Sequence, residues 1–392
     1  MDGAVQSIHL RRRLPLTARG GLVVLTLLVY AAAYAIRPDP WPLPVLPAVA
    51  SDCETPFFAE VFLHQEQEGR MSHACTLAPL ADGSVAAVWY AGSREGAGDV
   101  RLYLARLDPA SGQWGRPEAL LDTARASRDL SRWVRKLGNA TLHRDHQGRL
   151  HLFYASVTLG GWSGTALNHK VSDDGGNTWR PSRRLYLSPF INLTNNVRNK
   201  AIDLDDGSFL LPVYHEFLHK FSEALRFDPE SGRYEKVRIS RSGRAIQPTL
   251  VQGPEGRLTA VMRALGCQTP RRALLSTSSD GGRTWEATVP TALYNPDASL
   301  DAIELSDGRL LAVANDTEDG RHRLALLISD DGGMQFTLLH VLEYGPPHSE
   351  YSYPSLIRAH DQRIHLAYTY NRRQIKHLSF NEAWLRTRET PP

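Results

Sequence analysis

From Phe57 onward one pattern of polar and apolar positions recurs: a polar pair, in most copies acidic-Gly, one further polar residue, then a run of apolar positions. It is found at Asp82-Gly83 before Val85–Trp89, Gln147-Gly148 before Leu150–Phe153, Asp206-Gly207 before Phe209–Leu211, Glu255-Gly256 before Leu258–Val261, Asp307-Gly308 before Leu310–Val313, and Asp361-Gln362 before Ile364–Ala367. An acidic-Gly pair between two strand-like runs is hairpin chemistry, because glycine takes the positive φ that such turns need. The copies repeat every ~50 to 65 residues, which fits a four-stranded unit better than a solenoid repeat.

A second pattern lies later in the repeat, at Ser172-Asp173-Asp174-Gly175-Gly176-Asn177-Thr178-Trp179 and Ser278-Ser279-Asp280-Gly281-Gly282-Arg283-Thr284-Trp285, with a degenerate copy at Ser329–Phe336. In such an octapeptide the Asp caps backbone N–H groups, glycine supplies positive φ, and the aromatic anchors the turn on the sheet. Asp108–Trp114 and Asp228–Tyr234 keep a relic in the same slot. Asp174, Asp280 and Asp331 are therefore read as fold residues. The order of strands predicts an all-β, six-bladed β-propeller over 52–385, with Phe57–Leu63 completing the last blade so that the ring closes and loses its free edges. Residues 386–392 are read as a tail.

The N-terminal part has a different pattern. Residues 1–19 carry Arg11, Arg12, Arg13 and Arg19, and the uncharged run 20–36 follows, ended by Arg37. About 17 apolar residues is the lower edge of a membrane span, and the preceding arginines favour a cytoplasmic N-terminus. The expectation is a transmembrane signal-anchor with the propeller on the extracytoplasmic, periplasmic side; a cleaved signal peptide ending near Ala33-Tyr34-Ala35 is the alternative. The proline-rich segment 37–51 is a stiff spacer.

Charge narrows the partners. Forty-five basic and 42 acidic residues leave a formal charge of +3, without the lysine block of a nucleic-acid footprint. Cys53, Cys75 and Cys267 have no metal spacing and are odd in number. No metal motif is present, and no cofactor is expected.

The octapeptides resemble the Asp-box of sialidases, and the resemblance extends over nearly all of 57–380 to the bacterial sialidase-like family of BNR repeat proteins described as predicted neuraminidases. The stretches Glu350–Ile357 and Ile364–Arg373 carry it most clearly. The resemblance implies a catalytic tyrosine, arginines that clamp a substrate carboxylate and an acid/base aspartate, on a glycan with a terminal acidic sugar. An anionic sugar repels a carboxylate nucleophile, whereas a tyrosine attacks without that penalty. Arginine suits the clamp because its planar fork donates two parallel hydrogen bonds. Carried onto this chain, Tyr353 matches the nucleophile, Arg263 and Arg323 match two clamp arginines, and Asp99 matches the acid/base. The chain departs from the pattern at three places: His73 stands where the first arginine belongs, with Arg70 nearby; Gln247 stands in place of the tyrosine's glutamate partner; Thr369 replaces a late glutamate. Glu95, His215, Glu216, Lys200, Arg372, the Arg135/Lys136 pair and Arg373 are candidate replacements. Three functions stay open: an exo-glycosidase, a uronic-acid lyase in which the arginines neutralise the carboxylate while Tyr or His removes the α-proton, and a non-catalytic glycan- or protein-binding propeller.

Overall fold

The computed structural model describes residues 55–389, apart from 67–68, 189–191, 218, 242, 254–255 and 267–269, together with residue 21 and residues 24–28. The last group is helical and lies in a separate unit, Met1–Pro40. Among the described residues no helix is long and apolar enough to cross a membrane. The remainder of the expected span at 20–36, and the spacer at 37–51, fall outside the described residues.

Six antiparallel sheets follow one another along the chain, as the hairpin spacing predicts. Five have four strands; the third has its inner position split into Asn195–Val197 and Ile202–Asp203, both paired with Phe209–Glu216. The ring closes as expected: Phe58–Phe62 pairs with Gln374–Phe380, Phe58 facing Phe380, so the chain's first strand is the last blade's outermost. A short helix, Glu382–Arg386, follows, and its Trp384 and Leu385 pack into the core of the fifth and sixth blades.

Blades pack on both faces, so their inner strands are buried almost throughout rather than on alternate positions; Met71–Pro79 has eight consecutive buried residues. The cores lie between neighbours, as where Val88, Leu102 and Leu104 of blade one meet Leu142 and Leu152 of blade two. The outer turns carry the Asp-boxes. Asp174 accepts from Thr178 N at 2.8 Å and from Ser172 Oγ at 2.7 Å, while Trp179 Nε1 donates to Gly176 O at 3.0 Å. Asp280 and Trp285 repeat this arrangement, so these boxes act on the fold.

One irregularity prepares the site. The inner strands of blades one, two, four and six each break register once near their start, between His73 and Thr76, Leu137 and Ala140, Ile246 and Thr249, and Ser352 and Ser355. The first residue inside the bulge has positive φ in three of them: Ala74 at 53°, Gln247 at 51° and Tyr353 at 55°. Such a conformation costs a non-glycine residue ~1–2 kcal/mol. It re-aims the side chain away from the ordinary pleat, toward the mouth where the inner strands begin.

Candidate active site

Tyr353 lies at that mouth, nearly enclosed, at 9% exposure. Arg263, near the end of the strand Leu258–Ala264, places Nη1 3.4 Å from its hydroxyl oxygen. Arg321 and Arg198 stand by the ring, with guanidinium carbons 5.4 Å and 5.2 Å from its centroid. His73 meets it edge-on at 4.5 Å. Burial pushes the Tyr353 phenol up, but the charges of Arg263 and Arg321 and the Arg263 hydrogen bond outweigh it, and the phenol is held below its ordinary value against the opposing charge of Glu95.

The cations are held apart by carboxylates. Glu350 bonds Arg321 Nη1 at 3.0 Å and Arg372 Nε at 2.5 Å; Glu95 bonds Arg372 Nη1 at 2.7 Å; Asp297 bonds Arg263 Nε at 2.6 Å. Four guanidiniums (Arg198, Arg263, Arg321, Arg372) against three carboxylates leave a formal excess of one positive charge. Burial pushes Glu350 up, yet the Arg372 bond, then the charge of Arg321 and a bond from Ser352, bring it down to about 2. Arg263 Nη2 and Arg372 Nη2 have no protein acceptor among the described residues, so both offer N–H groups to a ligand.

Below this ring the interior is polar. Arg198 is 1% exposed and donates through Nη2 to the carbonyls of Tyr353 and Pro354, while its Nε and Nη1 have no partner among the described residues. Neither ring nitrogen of His73 has one either. Burial, and then the charge of Arg372, hold His73 well below the ordinary imidazole range, so it is neutral at pH 7. Gln247 accepts from Arg263 Nη1 at 3.0 Å and donates to Tyr214 Oη at 3.3 Å. It orients the arginine and carries no charge to take the tyrosine's proton. Thr369 accepts from Ala74 N at 3.0 Å and so secures the first blade's bulge.

The structure brings Tyr353, Arg263, His73, Gln247, Arg372 and Glu95 together. Others have partners outside this group. Arg323 pairs with Asp316 at 3.2 Å and lies opposite Tyr344 in its sheet; Arg321, two residues earlier, is the one beside Tyr353. Asp99 closes its own loop, accepting from Ser93 N at 3.0 Å and Oγ at 2.9 Å. Slight burial pushes Asp99 up, but these bonds outweigh it and hold it below its ordinary value, with Arg70 acting in the same direction from just before the first inner strand. His215 stacks on Phe221 at 4.5 Å. Lys200 bonds Asp301 at 2.6 Å and lines a cavity of about 260 Å³ at the opposite ends of the inner strands, with His143, Asp203 and Arg358. Glu216 ends its strand near Lys220 (3.6 Å), and burial pushes its carboxyl up against the charges of Lys220 and Arg263.

Sequence reasoning missed Arg198, Arg321, Asp297 and Glu350. Arg198, directly after the short inner strand Asn195–Val197, was a charged residue beside an otherwise uncharged strand; Arg321 was two residues from a named position and Glu350 opened a quoted stretch. Among the described residues no group of three or more His, Cys, Asp or Glu is arranged to hold a metal ion.

Residues 83–366 match the family model described as BNR repeat-like domain. Comparison with curated proteins gives no match. Among solved structures, the Hadza microbial sialidase Hz136 aligns with a TM-score of 0.66 at 18% identity over 79% of this chain, which spans 65% of that protein. The intramolecular trans-sialidase from Ruminococcus gnavus aligns with a TM-score of 0.62 at 17% identity, covering 82% of this chain and 96% of that one. The α-L-arabinanase of Penicillium chrysogenum aligns equally well, with 0.62 at 15% identity over 83% and 98%. At these identities the likeness establishes the fold.

Proposed function

We propose, from the premise that this chain belongs to the sialidase-like family of BNR repeat-like domain proteins, that it is an exo-glycosidase removing a terminal acidic sugar from a glycan. The observation that carries this reading is the Tyr353 hydroxyl at 3.4 Å from Arg263 Nη1 inside a ring of guanidiniums. The free Nη2 groups of Arg263 and Arg372 would receive the sugar carboxylate as a planar fork does. Tyr353 Oη would attack the anomeric carbon as the bond to the leaving group breaks, and water would then release the sugar from the tyrosine. The hydroxyl proton passes to water, since Gln247 cannot take it, and Arg263 and Arg321 stabilise the phenolate that results. Glu216, whose carboxyl burial holds above its usual range, is the better proton donor for the leaving oxygen; Asp99 is held below its own. Turnover of fluorogenic sialosides and uronic-acid glycosides, abolished by Tyr353→Phe, tests the reading.

One observation favours a second reaction. The phenol faces a guanidinium and a neutral imidazole, with no carboxylate bonded to it. A phenolate placed so could take the proton α to a uronate carboxylate neutralised by the clamp, expelling the β-linked oxygen and leaving an unsaturated sugar. Product absorbance in the near ultraviolet separates elimination from hydrolysis. The arginines before residue 20 would keep the N-terminus cytoplasmic and the propeller on the extracytoplasmic side.

A further inference from the structure

Blade two departs from its neighbours at its bulge. Where the others carry Ala74, Gln247 and Tyr353, its inner strand has Gly138. Trp162, from the loop between the second and third strands of the same blade, fills that space: a Cβ at position 138 would lie 2.7 Å from Cζ3 and 3.1 Å from Cη2 of the indole. Gly96, in the loop of blade one that carries Glu95, borders the same edge, its Cβ position 3.8 Å from Cζ2. The six-membered edge of Trp162 is thus held against two glycines from adjacent blades, and the residue stays half-buried at the mouth.

Over this ring lies Lys136 Nζ, 4.4 Å from the centroid. Lys136 opens the inner strand Lys136–Arg144, is 8% exposed, and has no carboxylate within ion-pair distance among the described residues. Burial and the neighbouring Arg135 push its ammonium down, opposed by Glu95. An ammonium on a largely buried stem, with an aromatic ring as its chief protein partner, is under-compensated, and a bound anion would relieve it. The site adjoins the clamp: Nζ is 3.4 Å from the Cβ position of Gly96, and the residue before that glycine is Glu95, which holds Arg372.

We infer that Trp162 and Lys136 form a second sugar subsite, on the leaving-group side of the clamp, which takes a pyranose bearing a carboxylate of its own. The indole offers a flat apolar surface for the C–H face of a sugar ring, and the ammonium takes the carboxylate. A neutral sugar there would leave the ammonium uncompensated. The substrate class is therefore an oligosaccharide with acids on consecutive residues rather than one acid capping a neutral chain. This inference rests on the clamp reading given under Proposed function.

Calorimetric binding to the full chain carrying Tyr353→Phe, which stops turnover, tests it with sialic acid, its α2,8-linked dimer, 3′-sialyllactose, galacturonic acid and digalacturonic acid. In the series that binds, the diacid is expected to bind about tenfold tighter than the monomer, and 3′-sialyllactose to gain no such increment. Lys136→Gln and, separately, Trp162→Leu should erase the increment and leave monomer affinity unchanged, while Lys136→Arg keeps part of it. Equal affinity for monomer and diacid, or an increment that survives both substitutions, would overturn the subsite alone. Failure of every acid to bind would overturn the clamp reading, and the subsite with it.

Discussion

The guanidinium of Arg198 lies 5.2 Å from the centroid of the Tyr353 ring and donates to the same residue's carbonyl oxygen. One buried cation thus ties down the positive-φ bulge that aims Tyr353 and adds positive charge beneath its ring. Arg198→Met, of similar length and without donors, should leave the Tyr353 and Pro354 carbonyls unpaired and lower unfolding free energy by about 1–3 kcal/mol. Denaturant midpoints measure this, and an unchanged midpoint would mean the bulge holds itself. Arg198→Lys should recover part of the loss.

Glu350 sets an acid limit. Its carboxyl is brought down to about 2 in the fold, against about 4.3 for a free glutamate. A folded value below the unfolded one contributes stability that is full above about pH 4.5 and is lost as pH falls toward 2. Glu350→Gln should therefore be less stable than the wild type at pH 6, and the difference should shrink as the pH is lowered to 3. A constant gap in melting temperature across this range would show that Glu350 does not titrate between its two arginines.

A second pH dependence lies far from the mouth, in two buried histidine relays. Arg183 Nε donates to His169 Nδ1 at 3.2 Å, which leaves His169 Nε2–H to donate to His151 Nδ1 at 2.9 Å and His151 Nε2–H to donate to Asp145 at 3.0 Å. In blade six Trp114 Nε1 fixes His377 in the same sense, and His377 donates to His365 at 3.0 Å. Arginine and tryptophan only donate, so each imidazole must be neutral for the chain of bonds to hold. Burial first, then neighbouring positive groups, lowers His169 and His377, and burial lowers His151 against the opposing bond and charge of Asp145; Asp145, Arg149, His143 and Arg183 are the charged or titratable groups facing the first relay. The unfolded imidazoles titrate near 6.5, so this stability is full above about pH 6.5 and is lost as pH falls through the lower folded values. The melting temperature should drop from pH 7 to pH 5. His169→Gln, which keeps a donor and an acceptor without titrating, should flatten that drop; an unaltered slope would count against the relay.

The fold was legible because it rests on local chemistry. Each Asp-Gly hairpin and each Ser-x-Asp-x-Gly-x-x-Trp turn is completed within a few residues, so Asp280 bonding Thr284 can be read without knowing what surrounds it. The site was legible only where one residue type had to occupy one place, as with Tyr353 and Arg263. Arg323 and Arg321 differ by two positions at the edge of a strand, and only the pairing with Tyr344 decides which of them stays in the sheet. Asp99 had the right loop, but Ser93 six residues earlier captured its carboxylate. Glu350 acts through Arg321 and Arg372, 29 and 22 residues away in sequence, and nothing in its own neighbourhood announces that.

In the proposed reaction the Tyr353 hydroxyl performs covalent chemistry on an acidic sugar held by Arg263 and Arg372, with Arg321 beside the ring. Single-turnover assays of the full chain on fluorogenic acidic glycosides, comparing the wild type with Tyr353→Phe, address it most directly. A rate loss of at least about 10³-fold is expected in the mutant, with the acidic sugar still bound and the melting temperature little changed. A mutant that released the fluorophore at a rate close to wild type would contradict it, because the chemistry would then belong to another group at this mouth.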